Sequence, residues 1–285
     1  MAFLRITNHK ALRLMANSLR QSVISMLTLA KSGHSAGSLG MADVFTALYF
    51  NVLTHKPELP DWHGRDRVIL SNGHICPILY STLAECGYFP KEELKTLRQI
   101  NSRLQGHPHH GSVPGVETSG GPLGQGLAVA IGTALSHLAD KSSARIYCLM
   151  GDGELDEGVC WESFMLAGAR RLRNLCVVID RNNIQIDGNT EEVLALEPLA
   201  DKLRAFNFHV IEINGHSMSH VIEAFEEAKS VYERPTAIIC HTVPGKGVSF
   251  MERDFEWHGK APTPEQAKVA LIELEHEHEA ILAEK

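Results

Sequence analysis

The stretch "GDGELDEG" at residues 151–158 decides how this chain is read. It lies between an apolar run, "ARIYCLM" at 144–150, and a periodic one, "VCWESFMLAGARR" at 159–171. A small-residue loop between a strand and a helix cradles phosphate through backbone N–H groups. This loop carries Asp152, Glu154, Asp156 and Glu157 instead, and carboxylates repel phosphate. A divalent cation removes the conflict. Mg²⁺ takes few protein oxygens and fills its other positions with water and substrate phosphates.

The second half of such a site lies further along the chain. "LCVVID" at 175–180 is another short apolar run, and "RNN" at 181–183 follows it. Asn182 stands 30 positions after Asp152, about the length of one βαβ unit. Right-handed crossover brings two such loops to the same sheet edge. Ligands of open parallel sheets bind there, outside the carboxyl ends of the strands. Asp152 and Asn182 are therefore expected as metal ligands, together with a backbone carbonyl near Ile184. Gly151 and Gly153 let the backbone approach the diphosphate closely. Either fragment alone is an ordinary turn. Both at strand ends, one unit apart, point to a Mg²⁺–diphosphate site; another divalent cation such as Ca²⁺ would serve.

The flanking pattern is consistent with that edge. Residues 7–31 have apolar side chains at helical spacing (Leu12, Met15, Leu19, Val23, Met26, Leu27), and a second helix fits "MADVFTALYF" at 41–50. "DRVILSNGH" at 66–74 reads as a buried strand running into a helix. From 101 to 126 the chain is rich in Gly, Pro, His and Ser, and a loop of that length is expected to be functional or disordered. After it come helix 127–139, strand 144–150, helix 159–171, strand 175–180, a loop at 181–189, helix 202–208, strand 209–213, helix 219–231 and strand 236–243. This rhythm predicts an α/β fold with a mostly parallel central sheet and helices on both faces. The tail from about 263 to 285 reads as an acidic surface helix. No repeat or linker interrupts the chain, so one domain over 1–285 is expected.

Composition narrows the function classes. The chain has 285 residues, 44% hydrophobic and 21% charged, with a formal net charge of −7. A chain of this size buries about three quarters of its unfolded surface and needs no staples. The acidic balance without basic clusters excludes a nucleic-acid surface. No run of about 18 apolar residues predicts a membrane span, and the first twenty residues lack a signal-peptide pattern. Cys76, Cys86, Cys148, Cys160, Cys176 and Cys240 form no CxxC pair, and most lie in apolar runs. Buried thiols in a reducing, cytoplasmic setting are the expectation.

"GDGELDEG" followed by "NN" resembles the thiamine-diphosphate motif. "KSGHSAGSLG" (31–40), "LSNGH" (70–74), "GHP" (106–108), "GPLGQG" (121–126) and "IQIDG" (184–188) are similar, in order, to the signatures of transketolases. "WHGKAPT" extends the match to 263, although the stretch between "GKG" and "WHG" departs from the family pattern. The resemblance implies the family's thiamine-diphosphate-binding fold and covers its N-terminal, diphosphate-binding domain. It implies that His74 and His258 contact the diphosphate. His34 and His107 would face the thiazolium and the substrate oxygens, and with His258 form the catalytic set. Imidazole suits all these tasks near neutral pH.

By the same resemblance, Gly121 and Leu123 meet the cofactor rings, Ile186 packs on the thiazolium, Gly153 offers an N–H to phosphate, and Glu157 lies at a subunit contact. Each also has a plain structural reading. Gly121 and Leu123 open a helix, Ile186 is an ordinary core residue, and Glu157 suits a helix N-terminus. "LQGHPHH" adds His109 and His110 beside His107, which leaves a zinc reading open.

In the family, the glutamate that activates the aminopyrimidine belongs to a second domain, and none of this chain's carboxylates matches it. The resemblance therefore implies one half of a split transketolase. A separate C-terminal chain would supply the pyrimidine domain, in an α2β2 heterotetramer acting on sugar phosphates. The alternatives are a subunit of another thiamine-diphosphate enzyme (deoxyxylulose-phosphate synthase-like or 2-oxo-acid dehydrogenase alpha-like) and a non-catalytic cofactor-binding protein.

Overall fold

The computed structural model describes residues 5–284; residues 1–4 and 285 of the expected 1–285 domain lie outside that range. The chain opens with α1 (His9–Ala30), whose first turn is capped by the Asn8 carboxamide accepting from the Ala11 N–H at 2.9 Å. Two short helices follow, α2 (Ala36–Gly40) and α3 (Ala42–Ala47), and the latter runs on into a π-helical turn at Leu48–Val52. β1 (Arg67–Leu70) leads to α4 (Cys76–Cys86), which carries Pro77 in its first turn.

Next come α5 (Gln125–Ala139), β2 (Ile146–Gly151), α6 (Gly158–Ala169) and β3 (Leu175–Arg181). A two-residue-per-strand hairpin, β4 (Ile184–Gln185) and β5 (Gly188–Asn189), precedes α7 (Thr190–Val193) and α8 (Leu199–Ala205). The chain closes with β6 (His209–Asn214), α9 (Met218–Ser230), β7 (Thr236–His241) and α10 (Pro264–Ala283).

β1, β2, β3, β7 and β6 form, in that order, one wholly parallel sheet. Strand residues alternate between two cores, as the period of two requires. Val68, Leu70, Tyr147, Leu149, Cys176 and Val178 join the core under α1, α3, α4 and α9. Ile69, Ile146, Cys148, Met150, Val177 and Ile179 join the core under α5, α6 and α8. The chain crosses from β2 to β3 on one face and returns from β6 to β7 through α9 on the other. Right-handed crossovers demand this change of face when the direction across the sheet reverses. The fold is thus α/β with helices on both faces, as the rhythm of the sequence predicts.

Several details differ from the sequence reading. The 181–189 segment contains the β4–β5 hairpin, a unit too short for periodicity to reveal. The helix expected at 41–50 is observed from Ala42, one residue after the separate short α2, and its second half is the π-helical turn at Leu48–Val52. The acidic tail is not simply a surface helix. Ala267, Ala270, Leu274 and Ile281 of α10 are buried, and the Asn17 carboxamide of α1 donates to the Leu274 carbonyl at 2.9 Å. The long 101–124 segment is irregular but anchored. Leu104, Val113 and Val116 are buried, and Glu117 pairs with Arg65 and, at 3.7 Å, with Arg67.

Candidate active site

The site is built at the carboxyl edge of β1, β2 and β3. β2 and β3 are neighbours, with Gly151 opposite Asp180, so their following loops lie side by side. The Asp152 N–H donates to the Asp180 carbonyl at 3.1 Å. Asp152 is buried. Its Oδ1 accepts from the Gly153 N–H at 2.9 Å, and its Oδ2 accepts from the Asn183 N–H at 2.7 Å and from Arg181 Nη1 at 2.9 Å. The Gly153 N–H expected to face phosphate is therefore held by the neighbouring carboxylate. Asn182 is oriented at both ends. Its Nδ2 donates to Asp180 Oδ2 at 2.9 Å, and its Oδ1 accepts from the Ile184 N–H at 2.9 Å. A Cβ built on Gly153 would lie 3.4 Å from the Ile184 carbonyl oxygen, so that carbonyl faces the β2 loop.

Burial governs the charges here. It pushes the Asp152 carboxyl up to about 6 against the opposing pull of Arg181. It pushes Asp180 up to about 7, with the nearby Asp152 charge acting in the same direction; Thr242 and Asn182 both donate to Asp180 and oppose the shift. Arg181 is itself buried, and its Nη2 reaches Glu191 at 2.7 Å and Glu197 at 3.0 Å.

Four imidazoles face this carboxylate edge. His34 lies on the segment before α2, His74 after β1, His107 in the long irregular segment and His258 before α10. The ring centroids of His34 stand 5.2 Å from His74, 6.0 Å from His107 and 5.6 Å from His258, and His74 and His258 are 4.9 Å apart. Burial lowers the affinity of all four for protons. His34 falls to about 4, burial first, with His258, Arg98 and His107 adding to the effect. His74 is held well below the usual range by burial and by His258 and His34. Burial also lowers His107, beside Arg98, and His258. The cluster is therefore neutral at physiological pH and presents N–H donors and lone pairs rather than positive charge.

These histidines line one cavity of about 220 Å³. Gly121 and Leu123 form another wall, and Gly151, Asp152, Gly153, Asn182, Ile184 and Ile186 complete the β2–β3 side. Gly121 has a φ of +134°, and a Cβ there would project into open space. Ile186 is 65% exposed, so it is not the ordinary core isoleucine of the plain reading. Glu157 alone of the expected residues lies away from the cavity, exposed at the N-cap of α6. His109 and His110 are exposed, and among the described residues no three His, Cys, Asp or Glu side chains converge as a metal cluster.

Sequence reasoning passed over three residues of this edge. Glu154 is buried and ties three loops together. It accepts from Ser71 Oγ, from the Gly124 N–H at 2.7 Å and from the Gly151 N–H at 3.2 Å. Asn72, inside the quoted "LSNGH", lines the cavity beside His74. Arg181 holds the carboxylate of Asp152. No local pattern marks Glu154 or Arg181, because their partners come from distant segments.

Comparison with known proteins agrees with this geometry. Residues 11–280 match the family model described as transketolase, thiamine diphosphate binding domain. The chain is 42% identical over 262 residues to the 6-deoxy-6-sulfo-D-fructose transketolase subunit SqwG of Clostridium sp. (strain MSTE9), covering 92% of this chain and 95% of the relative. It is 40% identical over 265 residues to an apulose-4-phosphate transketolase subunit of Phocaeicola vulgatus, covering 93% and 94%. Among solved structures, transketolase from Leishmania mexicana superposes with a TM-score of 0.85 at 31% identity, over 98% of this chain and 46% of that one. With this edge, this sheet and these relatives, the chain belongs to the transketolase family, as a thiamine-diphosphate-binding domain.

Proposed function

We propose that this chain is the thiamine-diphosphate-binding subunit of a two-chain transketolase, transferring a two-carbon ketol unit from a ketose phosphate donor to an aldose phosphate acceptor. One observation carries the reading. The chain runs almost the whole length of relatives described as transketolase subunits, but less than half the length of a single-chain transketolase. We read it as one domain with a C-terminal helix. A complementary chain would supply the pyrimidine domain, in an α2β2 assembly with Glu157 near a subunit contact. The six buried, unpaired thiols suit a cytoplasmic location, and no described helix is long and apolar enough to cross a membrane.

The residues fit the cofactor and a divalent cation. Asp152, Asn182 Oδ1 and the Ile184 carbonyl are hard oxygens gathered at one strand edge, the donor set Mg²⁺ or Ca²⁺ prefers. The unpartnered Asn72 carboxamide and the open space at Gly121 leave room for a polar and a ring-bearing group. Bound there, thiamine diphosphate supplies the carbanion chemistry that breaks and makes the carbon–carbon bond.

The chain's own groups bind and orient. His74 and His258 donate N–H groups to diphosphate oxygens, and Gly151 and Gly153 keep the backbone close. Leu123 and Ile186 form apolar walls for the rings, with Gly121 leaving space between. His34 and His107, both neutral with ring centroids 6.0 Å apart, hold substrate hydroxyl and carbonyl oxygens, each ring accepting a hydroxyl proton on its free nitrogen and returning it to the same oxygen.

The test is complementation. Purified alone, this chain should show no ketol transfer with thiamine diphosphate and Mg²⁺, and co-expression with the complementary chain should restore it. Substantial turnover by the chain alone contradicts the two-chain reading. Pyruvate outperforming a ketose as donor contradicts the transketolase reaction.

A further inference from the structure

Asn72 carries an unmet need inside the cavity. It is 1% exposed, and neither its Oδ1 nor its Nδ2 bonds to any protein atom. A buried amide left without partners destabilises the fold, and such groups in native proteins call for an explanation. Neighbouring polar groups do not meet the need. Asp152 is engaged by Gly153, Asn183 and Arg181, and Asp180 by Thr242 and Asn182.

The backbone holds the side chain in place. Asn72 has φ −74° and ψ 64°, and the Gly73 N–H donates to the Ser71 carbonyl at 2.8 Å. That is an inverse γ-turn at the end of β1. Ser71 is anchored in turn through its hydroxyl to Glu154. A Cβ built on Gly151 would lie 3.9 Å from Asn72 Nδ2, so the carboxamide faces the strand end that delivers Asp152.

We propose that Asn72 is a phosphate-binding residue, its Nδ2 donating to an oxygen of the diphosphate group held at this edge. The inference rests on the Mg²⁺–diphosphate reading of the cavity and adds a donor to it. A neutral donor suits the position. The cation and the buried carboxylates already set the local charge, and one more carboxylate would repel phosphate.

The test titrates inorganic pyrophosphate with Mg²⁺ into the full chain by calorimetry, for the wild type, Asn72→Ala, Asn72→Ser, Asn72→Asp and Asp152→Ala, with melting curves of each ligand-free protein. Asn72→Ala should bind at least about tenfold more weakly while melting at or above the wild-type temperature, because it removes an unpaired buried group. Asn72→Ser should bind between the two, and Asn72→Asp more weakly than Asn72→Ala.

Asn72→Ala binding within twofold of wild type would overturn the inference. So would tighter binding by Asn72→Asp, which would make the residue a metal ligand. Lower melting temperatures in both small variants would mark a structural role and overturn it too. If the wild type binds and Asp152→Ala does not, a failure at Asn72 leaves the site reading intact. If the wild type gives no binding heat, both fall together.

Discussion

At the scale of single residues, the site depends on charges that burial makes expensive. Burial pushes Asp152 up to about 6 although Arg181 touches it, so in its proposed role as a ligand the carboxylate must lose a proton before it takes a divalent cation. The sign of the consequence is fixed. Protons and a divalent cation compete for the same oxygen, so Ca²⁺ affinity of the ligand-free chain should rise about tenfold per pH unit below 6 and level off above about 7. Calorimetric titration from pH 5 to 8 measures it, and a flat profile contradicts Asp152 as a ligand. The placement of Asp152 and Asn182 at one cavity edge was legible in the sequence, because each follows a short apolar run and the two stand about one βαβ unit apart. Arg181, Glu154 and Asn72 were not. Arg181 meets Asp152 across 29 positions and Glu154 meets Ser71 across 83, so their roles exist only once the sheet has formed. The Asn72 side chain has no partner in the sequence to be read from.

At the scale of elements, the N-terminus of α5 is pressed against the end of β1. A Cβ on Gly126 would fall 2.4–2.5 Å from Ser71, within the turn that presents Asn72 and His74. Gly126→Ala should therefore destabilise the protein by about 1–3 kcal/mol and loosen the β1 turn. Gly132, in the same helix, faces open solvent, and Gly132→Ala should stabilise it by about 0.4–1 kcal/mol. Urea denaturation of the pair checks both signs, and equal effects would contradict the close packing. The longer elements announced themselves by period. The helix expected at 7–31 is observed at His9–Ala30, and the strands expected at 175–180 and 236–243 at Leu175–Arg181 and Thr236–His241. The β4–β5 hairpin, with two residues per strand, and the four-residue α7 are too short for a period to repeat, and did not. The α10 helix misled because its many Glu and His residues hide a seam of Ala267, Ala270, Leu274 and Ile281.

At the scale of the whole molecule, one parallel sheet separates two cores and gathers loops from distant parts of the sequence at a single edge. The order β1-β2-β3-β7-β6 places the loops after β1, β2 and β3 together, and the long irregular segment and the approach to α10 bring His107 and His258 over them. The rhythm of the sequence made the layering legible. It could not show how closely four histidines converge, because that distance is set by side-chain packing across segments more than two hundred residues apart. In the proposed function, the β2 and β3 loops share a divalent cation that holds a diphosphate. Anomalous scattering from crystals grown with Ca²⁺ and thiamine diphosphate tests it most directly. A calcium peak is expected about 2.3–2.6 Å from both an Asp152 carboxylate oxygen and Asn182 Oδ1. A cofactor bound with the calcium peak touching neither residue would contradict it.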